Sequence, residues 1–117
     1  MARISTHVLD TAHGRPAGAL RVGLYRWLDG ARHVVATAIT GVDGRTAEPL
    51  LAGDSIPVGE YELAFNVADY FRGVGVTPGS PPFLDQVVVR FGVSDQHGDY
   101  HVPLLVSPYG YSTYRGC

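Results

Sequence analysis

The chain has no lysine: all nine of its basic side chains are arginine. That removes the usual amine for a Schiff base or a lysine general base. Cysteine is nearly absent too, and a lone Cys117 cannot form an internal disulfide, so a secreted, disulfide-framed domain is unsupported. Charged residues make up only 17% of the chain and the formal net charge is −2. No basic run stands out, and the electrostatic footprint of a nucleic-acid binder is missing. No apolar run approaches the roughly 18 residues a membrane span needs. Met1-Ala2-Arg3-Ile4-Ser5-Thr6-His7 enters a strand pattern at once, with no basic, apolar, cleavable leader, and Arg115-Gly116-Cys117 is not a peroxisomal Ser-Lys-Leu signal. The expectation is a cytoplasmic protein without membrane or nucleic-acid partners. Sparse charge also leaves surface to be covered by something other than water, and subunit contacts are the plain candidate.

What is present is period-two alternation, punctuated by Gly, Pro and Asp. The 117 residues fit one domain, 1–117, with enough chain for a real core. Strands are predicted over Ile4 to Leu9, Leu20 to Leu28, His33 to Thr40, Gly59 to Val67, Val87 to Val93, Tyr100 to Ser107 and Tyr109 to Tyr114, with a short edge at Leu50-Leu51. Asp29-Gly30 reads as a hairpin turn, and Asp43-Gly44 as another turn just before Arg45. Ala68 to Val74 is the one helix candidate, and Thr77 to Pro82 a Pro/Gly loop. Seven to eight short strands with frequent turns and one short helix mean an all-β, antiparallel β-sandwich.

Alternation also sorts the histidines. Tyr100, Val102, Leu104 and Val106 form the aliphatic face of one strand, which turns His101 outward with Pro103, Leu105 and Ser107. On the first strand Ile4, Thr6 and Val8 oppose Ser5, His7 and Leu9. Two outward histidines on strands of low charge make sense if that face lines a cleft or a subunit interface. His97 and His101 are four apart, a spacing metals use on helices, but Gly98-Asp99 lies between them in a turn-and-strand context, and no metal site is expected. His13 and His33 have no partner identifiable from the sequence.

Chain ends are usually frayed and polar. This one runs Tyr109-Gly110-Tyr111-Ser112-Thr113-Tyr114-Arg115-Gly116-Cys117, aromatic and carrying a guanidinium. The ending closely resembles that of the 5-hydroxyisourate hydrolases, the transthyretin-like enzymes of urate breakdown, which finish Tyr-Arg-Gly-Ser. The resemblance extends through Ser-Thr-His-Val-Leu-Asp around His7, Val-Asp-Gly-Arg-Thr around Arg45, Gly59-Glu60-Tyr61-Glu62-Leu63, Pro82-Phe83-Leu84-Asp85, and His-Val-Pro-Leu-Leu-Val-Ser-Pro-Tyr from His101. It covers nearly the whole chain. It implies a transthyretin/prealbumin-like sandwich assembled as a homotetramer, a dimer of dimers, with sites at the subunit interface. It further implies a catalytic set of His7, Arg45 and His101, and a substrate-binding tail of Tyr114, Arg115, Gly116 and Cys117, with no metal or organic cofactor. The implied reaction is hydrolysis of 5-hydroxyisourate to 2-oxo-4-hydroxy-4-carboxy-5-ureidoimidazoline.

Those residue types suit that chemistry. A neutral imidazole can take a proton from water and return one to a leaving nitrogen. A fixed guanidinium can orient carbonyl oxygens and stabilise an oxyanion. The sequence does not distinguish which histidine is the base. Cys117 departs from the family serine: a thiol is a weaker hydrogen-bond donor and a larger atom. It is silent if the backbone and carboxylate matter, lowers turnover if the serine hydroxyl orders water, and in a third reading is itself a nucleophile. The rival to the enzyme is a small-molecule carrier on the same scaffold with an apolar channel. A blander alternative is an adhesion sandwich.

Overall fold

The computed structural model describes residues 1–116. Along the chain run β1 (Ala2–Ser5), β2 (Val8–Asp10), β3 (Arg15–Pro16), β4 (Arg21–Leu28), β5 (Ala31–Ile39), β6 (Leu51–Gly53), β7 (Gly59–Phe65), helix α1 (Val67–Gly73), β8 (Val87–Val93), β9 (Asp99–His101), β10 (Leu104–Ser107) and β11 (Gly110–Thr113). One layer is the sheet β5-β4-β7-β8. The other consists of two short sheets, β6-β1-β9 and β11-β10-β2-β3. These two share the same pair of chain segments, which pass from one to the other.

That passage refines the sequence reading. The strands expected over Ile4 to Leu9 and Tyr100 to Ser107 are each broken in the middle, at Thr6-His7 and Val102-Pro103. Pro103 has no N–H and cannot donate to a ladder. The Thr6 hydroxyl donates instead to the Val102 carbonyl at 2.7 Å. The Val102 and Leu104 amides reach the carbonyls of Ser5 and His7, each at 2.9 Å, so the two segments stay stitched across the break. They run parallel, with Ser5 beside His101 and Val8 beside Leu104, inside an otherwise antiparallel sandwich. A parallel neighbour needs only a long enough connection, and most of the chain lies between these two.

The alternation places the core as expected. Ile4, Val8, Leu104 and Val106 from one layer meet Val22, Leu24, Leu63, Phe65 and Val87 from the other, all buried. Leu28 shares the parity of Leu20, Val22 and Leu24 on the predicted strand but is exposed, because it sits beside the Asp29-Gly30 hairpin turn, where both residues take positive φ. The helix starts at Val67 rather than Ala68 and buries Val67, Ala68, Tyr70 and Phe71. Tyr70 completes a network whose members lie far apart in sequence. Its hydroxyl donates to the buried Asp10 carboxylate at 2.7 Å. The same carboxylate takes the His13 ring Nδ1 at 2.6 Å and the His13 amide at 3.0 Å, which supplies the partner that His13 lacked on sequence grounds.

Candidate active site

The switch between the two short sheets builds the site, because it puts His7 and His101 on adjacent segments. His101 ends β9, half-buried. Its Nδ1 lies 2.9 Å from the Ser5 hydroxyl. Its carbonyl accepts from the Gly116 amide at 2.7 Å. Gly116 has no side chain for a reason: a Cβ there would lie 2.8 Å from the His101 ring Cδ2. Serine on one side and glycine on the other thus hold the imidazole. Burial keeps this ring below its ordinary pKa; the nearby charges of Arg45 and His7 push the same way, while Asp99 opposes them. The ring is therefore neutral at pH 7.

Arg45 arrives on a turn docked against β2. The Arg45 amide donates to the Asp43 carboxylate at 3.0 Å, the Gly44 carbonyl accepts from the Val8 amide at 2.9 Å, and Arg45 bridges to His7. Gly44 makes the docking possible. Its φ is +78°, and a Cβ there would stand 2.3 Å from the Val8 carbonyl oxygen. The same turn fixes His7, whose Nε2 lies 2.9 Å from the Asp43 carbonyl. A carbonyl only accepts, so Nε2 carries the proton and the neutral ring keeps its lone pair on Nδ1.

Arg45 and His101 share an open cleft of about 320 Å³ with Arg3, Ser5, Thr46, Glu48 and Asp99. Arg3 is bound to Asp99 at 3.1 Å. His7 sits beside this cleft rather than among its lining residues. Ser5, Arg3 and Asp99 were missed as site residues on sequence grounds. The one usable signal was the shared parity of Ser5 and His7.

The tail divides. Gly116 packs on His101. Tyr114 and Arg115 face a separate groove of about 320 Å³ shared with Val89, Phe91, Tyr100 and Val102. The Arg115 guanidinium lies over the Tyr100 ring at 4.1 Å, so within one chain it does not join Arg45. Cys117 lies outside the described residues. His97 does not approach His101; its ring is 3.2 Å from the Asp54 carbonyl. Among the described residues no three His, Cys, Asp or Glu side chains converge as metal ligands, and no helix is long and apolar enough to cross a membrane.

Comparison with known proteins identifies the fold and the family. 5-Hydroxyisourate hydrolase 2 of Rhizobium meliloti (strain 1021) is 54% identical over 114 residues, 97% of this chain and 95% of that protein. The solved structure of Klebsiella pneumoniae 5-hydroxyisourate hydrolase aligns with a TM-score of 0.82 at 31% identity, over 100% of both chains. Sea bream transthyretin in complex with thyroxine aligns with a TM-score of 0.86 at 28% identity, over 97% of this chain and 94% of that one. Residues 4–116 match the HIUase/Transthyretin family, and the chain belongs to that family.

Proposed function

We propose that this chain is an enzyme that hydrolyses 5-hydroxyisourate in urate degradation, opening the ring to 2-oxo-4-hydroxy-4-carboxy-5-ureidoimidazoline. The observation that carries the reading is a neutral, half-buried His101 sharing one cleft with Arg45, in a chain 54% identical to a hydrolase of that name.

In this reading His101 is the general base. Water attacks the ring amide carbonyl while His101 takes its proton, and the Arg45 guanidinium stabilises the developing oxyanion. The tetrahedral intermediate then expels the ring nitrogen, which receives a proton from the imidazolium. The ring C–N bond is broken, a carboxyl group is formed and the base is regenerated. General-base assistance is worth about 10²- to 10⁴-fold, and one oxyanion donor on the order of 3 kcal/mol. His7, with its Nδ1 lone pair free, orients the attacking water and shares the proton traffic. His101 lines the cleft with Arg45 while His7 lies beside it, which favours His101 over His7 for the first step. An apolar carrier channel gains no support from a cleft lined by Arg3, Arg45, Glu48, Asp99 and His101.

The working form in this reading is a homotetramer with sites shared between subunits. β8 and β11 are both edge strands, and an edge presents unpaired N–H and C=O groups to another chain. The groove holding Tyr114 and Arg115 lies between those two edges, so pairing of edges would cover it and bring the tail to a neighbour's site.

The test is the decay of fresh 5-hydroxyisourate, generated in the cuvette from urate and urate oxidase and followed by its ultraviolet absorbance. A large acceleration by this protein that is lost in His101→Ala supports the reading. No acceleration from a folded oligomer overturns it.

A further inference from the structure

Two side-chain pairs join the ends of the chain inside the cleft: the exposed Arg3–Asp99 pair and the half-buried Ser5–His101 pair. The Ser5–His101 pair is set by backbone register: β1 and β9 pair in parallel with Ser5 opposite His101. Ser5 has its carbonyl committed to the Val102 amide, while its hydroxyl has no partner besides His101 among the described residues. The imidazole is thereby held at Nδ1 by Ser5 and walled at Cδ2 by Gly116, and its Nε2 has no hydrogen-bond partner among the described residues.

We infer that Ser5 is a positioning residue: its oxygen accepts from His101 Nδ1–H and so presents the Nε2 lone pair to the cleft as the basic atom. A hydroxyl could in principle donate to Nδ1 instead. The charges of the cleft decide between the two. Arg3, Arg45, Glu48 and Asp99 line the space beside His101; Asp99 is paired with Arg3, Arg45 acts on the ring more strongly than Asp99 does, and a cationic neighbour favours the tautomer whose lone pair, not its N–H, faces it. Donation from Nδ1 also survives protonation, because the imidazolium still donates to the same oxygen. The ring then does not rotate between taking a proton and returning it. A base held in place through the cycle keeps the geometry that proton transfer requires.

The inference rests on the hydrolase reading for its consequence in turnover, but not for its structural content. Two measurements separate them. The first is the nitrogen-15 spectrum of the imidazoles in the intact protein above pH 7, with His101 assigned by its disappearance in His101→Gln. Protonated Nδ1 and unprotonated Nε2 on His101 are expected. The reverse pattern would overturn the inference whatever the enzyme does. The second compares Ser5→Ala and Ser5→Thr. Loss of one hydrogen bond to a reacting group corresponds to about tenfold. Ser5→Ala should lower kcat about tenfold with KM within about twofold, and the Nδ1 proton should no longer dominate its spectrum. Ser5→Thr keeps a hydroxyl and should recover most of kcat. An unchanged kcat in a folded Ser5→Ala, or no recovery in a folded Ser5→Thr, would overturn the positioning role. A wild-type protein with the expected tautomer but no turnover would sink the hydrolase reading alone.

Discussion

Replacing Gly116 by alanine should disable the site without unfolding the protein. The added Cβ would lie 2.8 Å from His101 Cδ2 and 3.5 Å from both its Cβ and its Cγ. Carbon atoms pack comfortably at about 3.5–4.0 Å, so the ring and the tail must part by roughly 0.7 Å. His101 is backed by Ser5 through its Nδ1, so the strain falls on the ring or on the hydrogen bond from the Gly116 amide to the His101 carbonyl. A misplacement on the order of 1 Å can cost about 10²-fold in rate. The expected result is therefore a fall in kcat of about 10- to 100-fold. Gly116 lies outside the left-handed region, so alanine meets no backbone strain there, and Tm should change by no more than a few degrees. The assay is initial-rate decay of 5-hydroxyisourate across substrate concentration, alongside a melting curve and a mass measurement by sedimentation. A folded Gly116→Ala assembly with wild-type kcat would refute the claim that glycine is needed to seat the histidine.

Four further outcomes follow from the same geometry. The acid limb of the rate profile should fall below pH 6.5, the ordinary histidine value, because burial and Arg45 disfavour the charged ring. Activity appears as pH rises through the lowered pKa. Arg45→Gln should move that limb upward by removing a positive neighbour, and should cut kcat about 10²- to 10³-fold as expected for an oxyanion donor; pH–rate profiles of both proteins check this. Gly44→Ala should destabilise by more than the roughly 1–3 kcal/mol typical of backbone strain, since its Cβ would also strike the Val8 carbonyl oxygen; urea unfolding measures it. Tyr70→Phe should cost about 1.5–3 kcal/mol near neutral pH, the range for a hydrogen bond to a charged group. For Asp10, burial pushes the carboxyl up, but the hydrogen bonds from Tyr70 and His13 outweigh it and hold the pKa low. A carboxylate lowered on folding contributes stability that is present above its unfolded value of about 3.9 and lost as pH falls through the folded one. The penalty of Tyr70→Phe should accordingly shrink in unfolding curves taken below about pH 4.

The sequence by itself determined which way the side chains face. Alternation placed Ile4, Thr6 and Val8, and Tyr100, Val102, Leu104 and Val106, on the core side, and all are buried. It thereby turned Ser5, His7 and His101 outward. The turn at Asp43-Gly44 was legible from its residue types, and so was the Asp29-Gly30 hairpin. These are local properties: a period of two and a demand for positive φ are carried by neighbouring residues. Tertiary structure decided what those faces meet. The parallel pairing of the chain ends sets Ser5 against His101, 96 residues away. The joint break at Thr6-His7 and Val102-Pro103 carries both histidines past the seam between two sheets. Arg115 stacks on Tyr100, and Tyr70 reaches Asp10 across 60 residues. Pro103 signals that a ladder must stop, but not which strand lies beside it. Pairing partner and register depend on which apolar faces close over one core, a choice made by the whole chain at once.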